Sequence, residues 1–176
     1  MDAILDQFLA FIRDGSDEPL EPVDLTALIR EAVTPYNQQQ EKVRLCLDEL
    51  PELPLRRVSM KRLLVNLIDN ALHYGGEGVE VAAAVEGGRT APYLVLSVLD
   101  RGPGLSAEEL NVLFNPFIRG DSARGGKGSG LGLAIVRRVA ALHGGAVELR
   151  NRNGGGLEAR VCLPLGLLLP REAASG

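Results

Sequence analysis

Leu63-Leu64-Val65-Asn66-Leu67-Ile68-Asp69-Asn70-Ala71-Leu72 reads as a helix with two different faces. Leu63, Leu64, Leu67, Ile68, Ala71 and Leu72 recur at three- and four-residue intervals, the spacing that lines one side of a helix and seeks a core. Asn66 and Asn70 are four apart, so both amides leave the helix together, on a face other than the leucine stripe. Ser59 is placed to cap this helix, and Gly75-Gly76 to stop it. An amide oxygen is a hard donor, suited to Mg²⁺ held beside phosphate oxygens. The same pair also fits an ordinary solvated helix face, where amides are common.

Outward from this helix the pattern alternates between strand and helix. Downstream, residues 79–85 and 93–99 read as strands joined across Glu86-Gly87-Gly88-Arg89-Thr90, a hairpin connection. Ser106 and Glu109 form the two halves of a capping box ahead of a short helix to Leu113. Residues 115–130 are glycine-rich and charged, with no hydrophobic period, as in a functional lid or a disordered loop. A helix over 131–142 follows, then strands at 146–149 and 157–163 joined by a second hairpin signal. Upstream, Val43, Leu45 and Leu47 alternate as in a strand. Asp24 caps a helix through Leu25, Leu28, Ile29 and Ala32, expected to run on to Gln40 with a kink at Pro35. Ile4, Leu5, Phe8, Leu9 and Ile12 mark one more amphipathic helix, and Pro19 and Pro22 an extended connector after it. Tight strand connections imply antiparallel pairs, and a helix between two strands implies one parallel pair. The expectation is an α+β domain: two layers, with a mixed, mostly antiparallel sheet of about five strands covered by about three helices. Its parts are an entry helix (1–14), a connector (15–23), the domain (24–165, with a lid at 118–128) and a tail (166–176). No internal repeat is visible.

Composition narrows the function classes. Aromatic residues are 4% of the chain and there is no Trp, which counts against base-stacking on single strands. A net charge of −4 counts against coating duplex phosphates, so nucleic acid is not an expected partner. An anionic ligand needs local donors instead. Cys46 and Cys162 are too few and too far apart for a zinc pattern or a disulfide framework, and are expected as buried free thiols. No apolar run approaches the ~20 residues that span a bilayer. The N-terminus lacks a signal-peptide pattern, so the chain reads as cytoplasmic, though it is open to being part of a longer membrane protein.

Three further motifs carry chemistry. Asp100-Arg101-Gly102-Pro103-Gly104 follows a strand, and an Asp leaving such a strand can accept from an exocyclic amine such as adenine N6. Gly102 and Gly104 would let the backbone approach a flat ring; a plain turn explains the same residues. Gly128-Ser129-Gly130-Leu131-Gly132-Leu133 opens a helix, where exposed N–H groups and the helix dipole favour an anion, with Lys127 as an added cation. The spacing is neither a P-loop nor a dinucleotide fingerprint. Phe114, Asn115, Pro116 and Phe117 precede Arg119 and Arg124, which can reach phosphate oxygens; Phe114 fits a structural anchor equally well.

Taken in order, Asn-x-x-x-Asn, Asp-x-Gly-x-Gly, Phe-x-Pro-Phe and Gly-x-Gly-Leu-Gly resemble the N, G1, F and G2 boxes of the ATP-binding catalytic domain of sensor histidine kinases, a Bergerat-type fold. The resemblance runs from about Asp24 to Leu165, and Phe114 to Arg124 look most like the EnvZ-type osmosensor kinases. It implies ATP and Mg²⁺ as cofactors. It implies that Asn70 coordinates Mg²⁺ and Asn66 lies near the phosphates as a catalytic residue. His73 and Tyr74 would flank the nucleotide, Tyr74 beside the adenine. Asp100 would bond the adenine amine, with Gly102, Gly104, Leu105 and Phe117 shaping the base pocket. Lys127, Ser129, Gly130, Leu131 and Gly132 would hold the phosphates, and Arg119 the γ-phosphate. The implied partners are the kinase's own homodimeric phospho-acceptor hairpin and an OmpR-type response regulator, with the parent protein anchored in the bacterial inner membrane.

The resemblance also fixes what is missing. The family's phospho-accepting histidine is followed by an acidic residue, whereas His73 precedes Tyr74 and His143 precedes Gly144. His143 reads instead as a cation at a helix C-terminus. This chain is therefore expected to bind ATP·Mg²⁺ without phosphorylating itself. Gyrase-, Hsp90- and MutL-type ATPases carry a Glu where Asn66 stands, and an amide cannot take a proton from water. A clamping ATPase and an anti-sigma type binding module are the competing readings. Asp69, about 100° from Asn70 around the helix, is the one carboxylate that could restore a base.

Overall fold

The computed structural model describes Leu5, Asp6, Leu9 and residues 17–75, 78–88, 90–114 and 132–165. Leu5, Asp6 and Leu9 are helical, and the rest of the entry helix, the lid and the tail lie outside the described residues.

Strand β1 (Glu21–Val23) leads into α1 (Leu25–Val33). Asp24 caps α1 by accepting from the Ala27 N–H at 3.1 Å. Leu25, Leu28, Ile29, Ala32 and Val33 form its buried face. The expected continuation to Gln40 does not occur. α1 ends at Val33 and tightens into a 3₁₀ turn, Thr34–Asn37. Pro35 supplies no N–H and its ring crowds the carbonyl four residues back, so the α-ladder cannot proceed. Asn37 then sets the start of β2 (Val43–Leu47): its amide oxygen accepts from Lys42 and Val43, and its amide nitrogen donates to the Val43 carbonyl.

After β3 (Leu53–Leu55) comes α2 (Arg57–Gly75), the helix with two faces. Its leucine side is fully buried at Leu63, Leu64, Leu67 and Ile68. Ser59 is not its cap. Ser59 lies inside the first turn, and the donors there are met by Glu18 of the connector. That carboxylate accepts from Val58 N at 2.6 Å, Ser59 N at 2.9 Å and Ser59 Oγ at 2.7 Å. Burial pushes the Glu18 carboxyl up, but these hydrogen bonds and the nearby Arg62 outweigh it and hold it below its ordinary value. The connector is also less free than its prolines imply, because β1 pairs antiparallel with β3, Pro22 opposite Pro54.

β4 (Val79–Glu86), β5 (Tyr93–Leu99), α3 (Ala107–Val112), α4 (Gly132–Leu142), β6 (Ala146–Asn151) and β7 (Leu157–Pro164) complete the described chain. The main sheet runs β2-β4-β5-β7-β6. Only β2–β4 is parallel, the pair with α2 between its strands, and the other neighbours are antiparallel. This is the expected mixed five-stranded sheet. Val79, Val81 and Ala83 of β4 and Leu157, Ala159, Val161 and Leu163 of β7 turn to one face and are buried. On that face α2 packs over β4, β5 and β7, and α4 packs beside it over β6 and β7. The Ser106–Glu109 capping box is present at α3.

Both cysteines are free, but Cys46 is exposed and Cys162 half-buried. Strand β2 lies at the sheet edge, and its alternation puts Arg44 and Cys46 on the solvent side.

Candidate nucleotide site

Three sequence-distant motifs meet around α2. At its C-terminal end, Gly75 lies against Asp100: a Cβ on Gly75 would sit 2.3 Å from the Asp100 Cβ and 2.6 Å from its Cγ. Gly102 closes the same contact from the turn, since a Cβ there would lie 2.7 Å from the Tyr74 carbonyl oxygen. No other residue type permits this approach. Nearer the middle of α2, Asn66 meets the first residue of α4, where a Cβ on Gly132 would lie 3.1 Å from the Asn66 Oδ1. From Asn66 to Gly75 the helix rises roughly 13 Å. One helix thus carries both ends of a cleft.

Asp100 is the centre of one end. It is 3% exposed, although a carboxylate in that position is costly unless partnered. Its Oδ1 accepts from Gly102 N at 2.9 Å and Leu157 N at 3.0 Å. Among the described residues its second oxygen has no donor. One oxygen is thereby fixed by two backbone groups and the other left for something else that donates. The Arg152 Nη1 donates to the Asp100 carbonyl oxygen at 2.6 Å. Asn151 clasps Leu105 on both sides, accepting from Leu105 N at 2.9 Å and donating to Leu105 O at 2.8 Å. Gly104, at φ 75°, fits beneath that amide. Asn151, Arg152 and Gly156, which abuts the Asp100 carbonyl, are supporting residues that sequence reasoning read only as a hairpin turn.

His73 and Tyr74 occupy the last turn of α2, their rings edge-on at a centroid distance of 5.1 Å. Tyr74 is half-buried and His73 exposed. At the other end, Asn66 Nδ2 donates to the Arg62 carbonyl at 2.9 Å, which orients the amide and turns its oxygen toward Gly132. Asn70 is half-buried, and its amide has no hydrogen-bond partner among the described residues. Asp69 does not share this face. It is exposed and accepts from the Tyr36 hydroxyl at 2.7 Å. Burial, and then Asp69 itself, push the Tyr36 phenol up, so it remains a donor.

Among the described residues no three His, Cys, Asp or Glu side chains gather into a metal site. The Asn70 amide is a single neutral oxygen donor. It fits Mg²⁺ in the way that ion is usually held beside phosphate, by one or two protein oxygens and several waters. Phe117, Arg119, Lys127, Ser129, Gly130 and Leu131 lie outside the described residues. Phe114 is half-buried against the core.

His143 is not a cation. It is 2% exposed, its Nε2 accepts from the Arg56 backbone N–H at 3.0 Å, and its Nδ1 lies 2.8 Å from the Val139 carbonyl. An acceptor at Nε2 and a carbonyl at Nδ1 require the neutral ring with its proton on Nδ1. Burial pushes its pKa down, and the nearby Arg56 charge adds to this. Its role is to tie the end of α4 to the head of α2.

Residues 56–167 match the family model described as histidine kinase-, DNA gyrase B- and HSP90-like ATPase. The chain is 35% identical over 174 residues to the sensor protein kinase PmrB of Pseudomonas aeruginosa, covering 92% of this chain and 35% of that protein. It thus spans about a third of the length of this curated relative. The solved histidine kinase domain of the E. coli osmosensor EnvZ is 35% identical, with a TM-score of 0.65, 90% of this chain and 94% of that one being covered. Full-length ShkA, solved in complex with AMPPNP, is 27% identical with a TM-score of 0.74, covering 92% of this chain and 35% of that one.

Proposed function

The chain belongs to the family of histidine kinase-, DNA gyrase B- and HSP90-like ATPases, on its histidine-kinase branch, and we propose that it supplies ATP to a histidine carried on another segment. The observation behind this reading is the placement of α2. One of its ends touches Asp100, a buried carboxylate with an oxygen to spare, and Asn66 in its middle touches the glycine that opens α4.

In this reading the free oxygen of Asp100 accepts the adenine amine, and Tyr74 closes the base pocket from the last turn of α2. The phosphates run along α2 toward Gly132, where the N-terminus of α4 presents unpaired N–H groups. The Asn70 oxygen would hold Mg²⁺, which when bound neutralises phosphate charge. Asn66, with its nitrogen engaged by Arg62, presents only its oxygen on this side. Lys127, Ser129, Gly130, Leu131 and Arg119 are assigned to the phosphates on the family pattern. The acceptor imidazole attacks the γ-phosphorus as the bond to the bridging oxygen breaks, leaving ADP. The protein's contribution is positioning and charge neutralisation. No carboxylate occupies the Asn66 position, and Asp69 is engaged by Tyr36, so activation of water is disfavoured.

Neither histidine suits the acceptor role. His143 is buried with both nitrogens engaged, and His73 lies on the same helix as the site it would have to enter. We assign residues 24–165 as the catalytic unit and 1–14 as the end of the dimerising hairpin. An OmpR-type regulator and a membrane-anchored parent protein belong to the same reading. No helix among the described residues is long and apolar enough to cross a membrane. The test mixes the chain with γ-labelled ATP·Mg²⁺ and a separately produced, histidine-bearing dimerisation hairpin. Acid-labile label is expected on the hairpin and not on the chain. Label on the chain alone, or rapid phosphate release with no label on the hairpin, would overturn the proposal.

A further inference from the structure

Beside the turn that follows Asp100 lies a second, separate concavity. Arg101 comes directly after Asp100, but its side chain turns the other way. Its Cδ would lie 3.4 Å from a Cβ on Gly78, at the head of β4, whereas the Asp100 carboxyl lies against Gly75. There Arg101 joins Lys42, Arg44 and Arg152 in lining a cleft of about 200 Å³ that also includes Glu41 and Glu80. Lys42 and Arg44 on their own are explained as guards of an edge strand, where basic side chains discourage pairing with another chain. Arg101 and Arg152 are not on that strand. They arrive from two other turns, in a chain whose net charge is −4.

Arg44 and Arg101 make no ion pair among the described residues. Arg152 spends one guanidinium donor on the Asp100 carbonyl, and a guanidinium has five. Four cations against two carboxylates leave an excess of about two positive charges, which matches the charge of a phosphate group near neutral pH. The volume suits one such group rather than a drug-sized molecule.

We propose that this cleft is an anion site for a phosphate group, distinct from the nucleotide cleft and joined to it through Arg152. An anion that engages Arg152 competes with the carbonyl of the residue that reads the base. The group could be free phosphate or a phospholipid headgroup, which share this chemistry.

The test uses the whole chain saturated with ADP·Mg²⁺, so that the nucleotide's own phosphate donors are occupied, at constant ionic strength. Inorganic phosphate is titrated while backbone amide NMR signals are followed. In a parallel arm, sedimentation with phosphatidylglycerol vesicles is compared with phosphatidylcholine vesicles. Saturable shifts are expected at Lys42, Arg44, Gly78, Arg101 and Arg152, or retention by the anionic vesicles only. The first outcome identifies free phosphate and the second a headgroup. The double variant Lys42→Gln/Arg44→Gln, at two exposed positions, should weaken either response by about tenfold while ADP affinity stays within about twofold. Absence of both responses, or a response undiminished in the double variant, would sink the proposal.

Discussion

Replacing Asp100 by Asn isolates a single oxygen. Oδ1 is pinned by two backbone donors, Gly102 N at 2.9 Å and Leu157 N at 3.0 Å. An amide in this position must keep its oxygen there, because the alternative places an NH₂ against two N–H groups. The amide nitrogen is then forced into the position of the second carboxylate oxygen, the one with no donor among the described residues. A group that accepted the adenine amine becomes one that also donates, so two donors face each other. The loss is one hydrogen bond to a charged acceptor, about 1.5–3 kcal/mol, or roughly a 10- to 150-fold rise in Kd. Folding should be nearly unaffected, since both backbone donors keep their acceptor. Asp100→Ala differs in kind: it also leaves two N–H groups without a partner, at about 1–3 kcal/mol each. Isothermal titration with ADP·Mg²⁺ alongside thermal melts distinguishes the two. Asp100→Asn should melt close to the wild type and bind weakly, and Asp100→Ala should lose on both. Asp100→Asn binding ADP within about twofold of the wild type would refute the assignment of the free oxygen to the base.

Other outcomes follow from the supporting contacts. Glu18→Ala removes the acceptor of three donors at the head of α2 and should cost about 1–2 kcal/mol, a fall of a few degrees in Tm, with ADP affinity unchanged while the chain is folded. Because the His143 pKa is lowered from 6.5 in the native state, the unfolded chain takes up that proton first. Stability from this group is therefore complete above about pH 6.5 and falls as the pH drops toward the native value, and urea midpoints at pH 7.5 and 5.5 should show it. His143→Gln should flatten that step. The Glu18 contribution is present above about pH 4.5 and is lost only at lower pH, so the two steps separate. Gly132→Ala pushes a methyl group toward the Asn66 oxygen, and should slow transfer to the hairpin by about tenfold in single turnover, with ADP affinity within about threefold.

What was legible in the sequence was local. The leucine stripe of α2, the Asp24 cap and the Ser106–Glu109 box each depend on residues within one or two turns of each other, and the structure has all three. Errors came where a distant group decides. Ser59 looks like a cap until Glu18 arrives from 41 positions away. His143 looks like a helix-end cation until the Arg56 N–H, 87 positions away, makes its Nε2 an acceptor. Alternation placed Cys46 on the face opposite Val43, but could not say that this face of an edge strand is open to solvent. Pro35 was visible, yet its effect was read as a bend when it ends the α-ladder. In the site, residues with distinctive chemistry stood out: the two amides, the aspartate and the glycines. Those that hold them through backbone atoms did not, because Asn151 and Arg152 act on carbonyl and N–H groups that every residue possesses.

Glu18 belongs to the connector, yet it grips the head of the helix whose tail touches Asp100. Anything rigidly attached upstream therefore holds the domain by a spoke rather than by a tether. Small twists of that attachment carry the spoke along and reach the base pocket undiminished. Larger ones must first strip three hydrogen bonds from one carboxylate, which makes this residue a slipping clutch between the two parts of the chain.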